Sequence, residues 1–498
     1  MKRRLPWLLP VLLLLFLSWS WYTGTLAVQP RQLDNGAAWR SVACWFEVPA
    51  GKRVECGRVM TRDRTNRGRH SLPVVIIRNS WLRNDPSPVV FIQGGPGGAA
   101  GLDALTMAWW FADIETWDLG RDFVLYDQRG TGLATPSLRC PEVLSGIRRD
   151  LQLALDLNEE NERYNGYLRA CHARLHESRQ RLDDYSTALN SDDLADIINL
   201  VEPGSWTLFG ASYGTRIALE TERRHPQLVR DLLLDSVYPH DRDGFLSWPM
   251  VLGRAVDRVL ESRGRPDLKP RLATLMKQFS EEPVQLETGD YTSGETIKPV
   301  LTGSRLFMML FAATYSADMV RNIVPVIEEL SAGQTGSRML AGLVSFAIEL
   351  ELDESFSEPV FQSISCREDQ IEQMQAYRMQ AERFAGDNAV LRDMLVRHTP
   401  ADACSFWKSG SVPAGFSEPV VTEKPVLLLA GELDAVTPVQ WAREMHGYLP
   451  ASRLLIVPGG GHGVSMTDAC TMIIARTFLE EPGAALPLHC KGDGLGPA

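Results

Sequence analysis

The sequence has no surplus of positive charge and none of the short cysteine or histidine spacings that are typical of metal sites. Its 51 lysine and arginine residues are outnumbered by 62 aspartate and glutamate residues, so the formal net charge is −11. Proteins that bind nucleic acid through its phosphates carry basic surfaces, and this balance therefore argues against nucleic acid as a partner. Neither C-x-x-C nor H-E-x-x-H occurs, so the sequence predicts no metal site.

The chain also lacks a cysteine near the end of its apolar N-terminal segment, which argues against a lipid-modified lipoprotein. Residues 2–4 are basic, residues 5–17 are almost entirely apolar, and Thr25-Leu26-Ala27 offers a small-x-small cleavage site. This order predicts a secretory signal peptide over residues 1–27 and export to the periplasm or the medium. An uncleaved membrane tether over residues 5–22 is the alternative, because the aromatic residues at its end suit a membrane interface.

The eight cysteines form four pairs of neighbours along the chain. Exported proteins fold in oxidising compartments, which favour disulfides over free thiols. Many connectivities are open to eight cysteines, but bridges between sequence neighbours close the smallest loops. We therefore predict the pairs Cys44 with Cys56, Cys140 with Cys171, Cys366 with Cys404, and Cys470 with Cys490.

Apolar runs that are typical of buried strands alternate with helical stretches through the first half of the chain. Runs of this kind belong to a mostly parallel sheet whose two faces are covered by helices. The sequence therefore indicates an α/β fold. The predicted strands lie at 45–48, 71–78, 88–92, 121–126, 206–209 and 228–237.

The alternation stops between about Pro239 and Pro419, where the segments are amphipathic and helical, and it resumes with predicted strands at 424–430 and 452–457. We interpret the interruption as a helical cap that covers the site and selects substrates. The predicted organisation is a signal or anchor at 1–27, a core at 28–238, a cap at 239–419 and the rest of the core at 420–498.

The stretch Gly210-Ala211-Ser212-Tyr213-Gly214 matches G-x-S-x-G between an apolar strand and a helix. In that context the glycines allow a tight turn that exposes the serine hydroxyl above the end of the sheet. The alternative is an ordinary glycine-rich turn between a strand and a helix. The neighbouring motifs favour Ser212 as a nucleophile.

Asp434 and His462 each follow one of the late strands, within Gly431-Glu432-Leu433-Asp434 and Gly459-Gly460-Gly461-His462-Gly463. Parallel strands bring both residues to the edge of the sheet that carries Ser212, and the order serine, aspartate, histidine is that of a catalytic triad. The histidine would accept the serine proton, and the aspartate would orient the imidazole. The alternatives are a loop-capping aspartate and a surface histidine.

Two further glycine-rich loops follow buried strands. In Gln93-Gly94-Gly95-Pro96-Gly97-Gly98, we predict that the Gly95 N–H joins the Tyr213 N–H in an oxyanion hole. In the second loop, which begins at Asp127, we predict that Asp127 and Arg129 have a structural role, through a mutual ion pair or bonds to the backbone.

These loops, the serine motif and the Asp434 and His462 motifs together resemble the α/β-hydrolase peptidases that include proline iminopeptidases and secreted bacterial tripeptidyl aminopeptidases. The stretch from Ile364 to Asp369 and the terminal Cys470/Cys490 region resemble the tripeptidyl aminopeptidase branch more. Gln93 departs from the family pattern, which often has histidine there. The resemblance implies an α/β-hydrolase fold with an inserted helical cap, and a serine exopeptidase that needs no metal or cofactor.

A peptidase that removes N-terminal units must recognise the free ammonium of its peptide substrate, which calls for a carboxylate at a fixed distance from the nucleophile. The first candidate is Glu368, followed by Glu220 and Glu222. An exported carboxylesterase is the main alternative function, because it would use the same triad. A non-catalytic binding protein of the same fold is the other alternative.

Overall fold

The computed structural model describes residues 28–62, 69–79, 87–117, 119–289, 294, 296–369, 374–397 and 400–486. The predicted signal peptide or membrane tether and Cys490 lie outside these residues. Each helix within these described ranges is too short or too polar to span a lipid bilayer.

A nine-stranded sheet forms the centre of the molecule. Its strands are β1 Ala38–Val42, β2 Arg53–Met60, β3 Ser71–Arg78, β4 Val89–Ile92, β5 Phe123–Tyr126, β6 Trp206–Ala211, β7 Val229–Asp235, β12 Val426–Gly431 and β13 Ser452–Val457. They lie in the order β1-β2-β3-β5-β4-β6-β7-β12-β13. The strands β1, β2 and β3 pair antiparallel, β3 pairs antiparallel with β5, and the strands from β5 to β13 in this order pair parallel.

The central strands are apolar at successive positions because helices cover both faces of the sheet. Every residue of β4, β5 and β12 is buried. The covering helices are α1 Ala104–Trp117, α2 Pro141–Asp150, α3 Leu157–Glu177, α4 Thr187–Val201, α5 Tyr213–Arg224, α14 Val439–Tyr448 and α15 Ala469–Glu480. Short 3-10 helices lie at Leu182–Asp184, Pro226–Leu228, Pro266–Leu268, Pro400–Ser405 and Val464–Met466.

The prediction of a strand at residues 45–48 is wrong, and the strand in this region is β1. The apolar side chains at 45–48 instead pack beside helix α1. The Trp45 indole donates a hydrogen bond to the Leu102 carbonyl at 2.6 Å, and the Phe46 ring lies 5.9 Å from that of Phe111. The apolar residues here therefore reflect packing against neighbouring side chains, without pairing to another strand.

Between β7 and β12 the chain is mostly helical, and we call residues 236–425 the helical insertion. Its interior is a second apolar core. Its helices are α6 Gly244–Ser262, α7 Lys269–Glu281, α8 Gly303–Ala313, α9 Ala317–Ser331, α10 Arg338–Glu351, α11 Glu358–Glu368, α12 Met374–Ala385 and α13 Ala389–Arg397. Four two-residue strands form two small antiparallel pairs: β8 Val284–Gln285 with β11 Val300–Leu301, and β9 Thr288–Gly289 with β10 Thr296–Ile297.

Helix α11 differs from the other inserted helices because it packs on the core of the sheet. Val360 and Ile364 belong to the apolar cluster that contains the central strands. At the start of the helix, the Ser357 N–H donates to the Gly97 carbonyl at 2.8 Å. The helix therefore contacts one of the two glycine-rich loops directly.

Disulfides join Cys44 to Cys56, Cys140 to Cys171, and Cys366 to Cys404. Cys470 is also disulfide-bonded. Three bridges between chain neighbours are consistent with a protein that is exported to an oxidising compartment.

Candidate active site

Ser212 occupies a strained turn between β6 and α5. Its backbone has φ 54° and ψ −125°, a conformation that residues with a side chain rarely adopt. The flanking glycines are required by close approach: a Cβ on Gly214 would lie 2.0 Å from the Ile92 carbonyl oxygen, and one on Gly210 would lie 2.6 Å from the Gly214 carbonyl oxygen. The turn therefore has the features of a nucleophile elbow.

Asp434 and His462 are in direct contact. The His462 Nδ1 lies 2.9 Å from the Asp434 Oδ2, and the carboxylate is completely buried while the ring is 12% exposed. Asp434 Oδ1 accepts hydrogen bonds from the N–H groups of Val436 and Thr437, and Oδ2 accepts one from the Thr437 hydroxyl. A carboxylate held this firmly favours the imidazole with its proton on Nδ1, which leaves Nε2 free to accept a proton.

The electrostatic surroundings of His462 favour its charged form. Burial alone would lower the pKa of His462, but the carboxylates of Asp434 and Asp235 outweigh burial and raise this pKa above its usual value. An imidazole whose cation is stabilised in this way is a good acceptor for a serine proton.

The loop that carries His462 reaches across β12 to the end of β7. The Gly463 N–H donates to the Ser236 hydroxyl at 2.9 Å. Next to it, the Ser212 N–H donates to the Asp235 carbonyl at 2.8 Å. The histidine loop and the serine turn are thus attached to consecutive residues at the end of one strand.

Among the described residues, the hydrogen bonds of the His462 ring go to Asp434 and Thr437, and none joins the ring to the Ser212 hydroxyl. Hydrogen bonds between a catalytic serine and its base are often long in the free enzyme and shorten when substrate binds. The lack of a hydrogen bond between His462 and Ser212 is therefore compatible with proton transfer after substrate binding.

Two other carboxylates near these strand ends brace the histidine loop. Asp235 accepts hydrogen bonds from the Ser465 N–H at 2.7 Å and from the Ser465 hydroxyl at 2.5 Å, and burial raises the pKa of Asp235. Glu432 is exposed and accepts a hydrogen bond from the Gly459 N–H at 2.9 Å. The direct partner of the imidazole is therefore Asp434.

The glycine-rich loop after β4 lies against the serine turn. A Cβ on Gly94 would lie 2.8 Å from the Ser212 Cβ, so only glycine fits there. Gly95 has φ 116°, which also requires glycine. Within the described part of the chain, the N–H groups of Gly95 and Tyr213 form no backbone hydrogen bond. Both groups are therefore available to a developing negative charge beside Ser212.

The loop after β5 has the structural role that the sequence predicts, but Asp127 and Arg129 do not pair with each other. Asp127 accepts hydrogen bonds from the Ala100 and Leu133 N–H groups, and burial raises its pKa to about 6. Arg129 instead forms two hydrogen bonds of 2.8 and 2.7 Å with Asp193 of α4. Asp127 thus ties the two loops to each other, and Arg129 ties the second loop to a helix.

The side chains of the three glutamates predicted to bind a substrate ammonium are buried among other protein groups. The Glu368 side chain is 1% exposed, and both of its oxygens accept hydrogen bonds from Thr187. Glu222 binds the Thr422 hydroxyl and the Lys424 ammonium, and Glu220 lies 3.3 Å from the His240 ring. Burial of all three side chains, and the internal hydrogen bonds of Glu368 and Glu222, argue against ammonium binding by these residues, and their role stays a prediction.

The sequence analysis missed the contribution of the helical insertion to the site. The connection between α8 and α9 covers the histidine loop, since a Cβ on Gly461 would lie 2.7 Å from the Thr314 carbonyl oxygen. The Tyr315 ring lies 5.4 Å from the His462 ring in an edge-to-face arrangement. No sequence motif marks Tyr315, although the glycine directly before His462 indicates a close neighbour.

One group of potential metal ligands occurs in the described part of the chain, formed by Cys140, Glu142 and Cys171. The two cysteines are joined in a disulfide, so neither offers the thiolate that binds a metal. This group therefore does not fit a metal ion.

Residues 87–274 match the family model described as alpha/beta hydrolase fold, and residues 391–485 match the model described as TAP-like protein. The first range contains Ser212, and the second contains both Asp434 and His462. No curated protein matches the chain.

Among solved structures, the chain is similar to the proline iminopeptidase of Mycobacterium smegmatis, with 14% identity, a TM-score of 0.40, and 87% of this chain and 98% of that chain covered. A proline iminopeptidase-related protein from Thermus thermophilus has 15% identity and a TM-score of 0.37, with 88% and 100% covered. A thermophilic esterase from Thermogutta terrifontis has 14% identity and a TM-score of 0.36, with 86% and 99% covered.

Proposed function

From the premise that this chain is an α/β-hydrolase with a TAP-like C-terminal part, we propose that it is an exported serine exopeptidase. It releases short N-terminal units, from one amino acid to a tripeptide, from peptides with a free N-terminus. The observation that carries the proposal is the buried contact between Asp434 and His462, at the same end of the sheet as the strained turn at Ser212.

In the proposed reaction, the Ser212 Oγ attacks the carbonyl carbon of the scissile peptide while its proton passes to the His462 Nε2. The carbonyl π electrons move to oxygen, and the Gly95 and Tyr213 N–H groups bind the resulting oxyanion. His462 then donates its proton to the leaving amine, the C–N bond breaks, and an acyl-enzyme remains. A water molecule, deprotonated by His462, releases the acyl group and restores the serine.

Asp434 stabilises the imidazolium formed in each of these steps, and it holds the ring so that Nε2 points away from Asp434. The Tyr315 ring covers one side of the imidazole and limits the access of bulk water to the ion pair. No metal or cofactor is part of this proposal.

The disulfides support export, because a reducing cytoplasm would not maintain them. We assign the export to the predicted signal in residues 1–27.

For the substrate ammonium we propose Glu358, at the first position of α11, in place of Glu368, Glu220 and Glu222. It directly follows Ser357, whose N–H binds Gly97 of the glycine-rich loop beside Ser212. Its Oε1 accepts hydrogen bonds from Tyr164 and Gln362, both at 2.8 Å, and neither bond uses Oε2, whereas both oxygens of Glu368 bind Thr187. Burial raises the pKa of Glu358, so a bound cation would compensate a charge that the site itself disfavours.

The first experiment tests the nucleophile. A fluorophosphonate probe should label the wild-type protein and leave Ser212→Ala unlabelled, with His462→Ala labelled far more slowly. Ser212→Ala should also reduce kcat on the order of 10⁶-fold, as in other triad enzymes. Equal labelling of wild type and Ser212→Ala, or a mild loss of activity, would refute the proposal.

The second experiment tests the substrate class. Tripeptidyl and aminoacyl nitroanilides with a free N-terminus are compared with the same compounds after N-acetylation and with short nitrophenyl esters. The proposal requires strong preference for the free amine, and Glu358→Gln should raise KM for free-amine substrates only. Glu142→Gln, which loses a surface pair with Arg174, is the control. Rapid ester hydrolysis with no preference for the free amine would identify a carboxylesterase instead.

A further inference from the structure

We infer that a buried chain of hydrogen bonds, from Glu368 through Tyr213 to Gln93, positions the two halves of the oxyanion hole relative to each other. In this inference Glu368 is a positioning residue that acts through Thr187 and Tyr213, without touching the substrate. The inference rests on the proposed function, because that function supplies the role of the Gly95 and Tyr213 N–H groups.

One end of this series of hydrogen bonds is at the carboxylate of Glu368. Its Oε1 accepts the Thr187 N–H at 2.6 Å, and its Oε2 accepts the Thr187 hydroxyl at 2.5 Å. The Thr187 oxygen in turn lies 2.8 Å from the phenol oxygen of Tyr213. Because Thr187 is the first residue of α4, the carboxylate also lies at the positive end of that helix.

The other end reaches the glycine-rich loop after β4. The Asn190 amide donates to the Tyr213 phenol at 3.5 Å and to the Gln128 side-chain oxygen at 3.2 Å. The Gln128 amide donates to the Gln93 carbonyl at 2.7 Å. Gln93 directly precedes Gly94 and Gly95 in the chain. One connected set of bonds therefore links the residue after the nucleophile to the loop that supplies the second donor.

The side chains of this hydrogen-bonded series are enclosed by protein. Thr187 and Tyr213 are completely buried, and Asn190 and Gln128 are 1% and 2% exposed. A buried polar side chain loses its water and is tolerated only when protein groups replace that water. These side chains thus hold one another in fixed positions, and removing one member leaves its neighbours without a partner.

The ionisation of Glu368 decides the direction in which the hydroxyl groups point. The ionised carboxylate accepts both Thr187 bonds, so the Thr187 oxygen is left to accept a hydrogen bond from the Tyr213 hydroxyl. A protonated carboxyl group would donate to Thr187 and reverse both hydroxyls. The Tyr213 oxygen would then accept the bond from Thr187, and the Tyr213 hydrogen would lose its acceptor inside the protein. The ionised form is therefore the one in which Thr187 accepts the hydrogen of the tyrosine after the nucleophile.

Several charged groups face Glu368 from the elements around it. Arg216 of α5 lies 3.9 Å from its carboxylate and 3.1 Å from that of Asp369, and Arg367 precedes it in α11. Burial raises the pKa of Glu368 to about 7, with Arg216 and Thr187 acting against this rise and Asp369 adding to it. The carboxyl group should therefore titrate near neutral pH.

The test uses the rate at which a neutral fluorophosphonate labels Ser212, because this rate depends on the histidine and the oxyanion hole but not on how a peptide binds. Glu368→Gln keeps the shape of the side chain and reverses the bond to Thr187, and Thr187→Val removes the hydroxyl. We expect each to slow labelling about tenfold, the effect of one misplaced hydrogen bond. Thr187→Ser, which restores a hydroxyl, should recover most of the rate.

Thr221→Val is the matched control, since Thr221 is also completely buried and its hydroxyl bonds only within helix α5, to the Ile217 carbonyl at 2.8 Å. It should label at the wild-type rate. If Glu368→Gln and Thr187→Val, once shown to be folded by circular dichroism, also label at the wild-type rate, the inference is wrong. If the wild-type protein itself is not labelled at Ser212, the proposed function fails instead.

The pH dependence separates positioning from general destabilisation. In the wild type, protonation of His462 stops labelling and protonation of Glu368 should slow it about tenfold, so the wild-type rate should fall about tenfold further towards low pH than the histidine alone requires. In Glu368→Gln only the histidine remains, so the wild-type rate should exceed the variant rate about tenfold at high pH and equal it at low pH. A constant ratio of the two rates across the pH range would overturn the role given to Glu368.

Discussion

The substitution Gly431→Ala should displace the histidine without touching any catalytic side chain. Gly431 is the last residue of β12, and a Cβ there would lie 1.9 Å from the Gly461 carbonyl oxygen and 2.6 Å from that of Gly460. Both carbonyls belong to the backbone just before His462. Because real Cβ contacts are not shorter than 3.0 Å, the Gly461 carbonyl must move by at least the difference between 1.9 and 3.0 Å.

A shift of this size is about 1 Å, and a misplacement of about 1 Å in a catalytic group can reduce the rate about 10²-fold. The His462 Nδ1 is held at 2.9 Å from Asp434, so the ring cannot follow the loop and keep its partner. We therefore expect kcat/KM to fall about 10²-fold. Overpacking should lower the free energy of unfolding by about 1 to 3 kcal/mol, which leaves the protein folded.

The assay is kcat/KM on the best substrate of the wild-type protein, together with the fluorophosphonate labelling rate and the melting temperature. Gly447→Ala is the control, because Gly447 lies in helix α14 and an added Cβ there meets no atom within 4 Å. It should keep wild-type activity and be slightly more stable. Wild-type activity in Gly431→Ala would refute the view that the position of the histidine loop is set by this contact.

Asp434→Asn should reduce kcat about 10⁴-fold, as in triads where the asparagine stabilises the wrong imidazole tautomer, and a wild-type kcat would exclude Asp434 as the orienting residue. The acid limb of kcat/KM should lie above the usual histidine pKa of about 6.5, because His462 has a raised pKa and acts as a base only when neutral; a limb below that value would contradict the assigned environment. Replacing Cys366 and Cys404 by alanine should lower the free energy of unfolding by about 3 kcal/mol, since their bridge closes a separation of 38 residues. Chemical denaturation measures this change, and an unchanged stability would show that α11 is held without the bridge.

The sequence is most informative where close approach of the backbone requires glycine. The glycines around Ser212, before His462 and after β4 are needed because backbone segments approach one another to distances that exclude a Cβ. Such positions are visible in a sequence because no other residue satisfies them. The strands beside them were predicted because parallel strands covered on both faces are apolar at every position. The α/β fold could therefore be predicted from local patterns.

The neighbours of the site could not be predicted in this way, because long-range contacts decide them. The sequence predicts Glu368 as an ammonium receptor because it is an acidic residue in a motif, yet Glu368 binds Thr187, 181 positions away along the chain. The strand expected at residues 45–48 failed for a related reason. Phe46 packs against Phe111 of helix α1, and an apolar segment can pack in this way without backbone pairing to a strand.

The helical insertion contacts both sides of the proposed catalytic machinery. At one side, Ser357 binds Gly97 of the glycine-rich loop, and at the other, the turn at Thr314 and Tyr315 lies against the histidine loop. An insertion that served only to select substrates would need neither contact. Because it packs on the oxyanion loop and on the base, changes within it should alter kcat as well as KM. The insertion leaves the sheet at the end of β7, whose last residue accepts the Ser212 N–H, so its first residues start at the edge of the sheet that carries the proposed site.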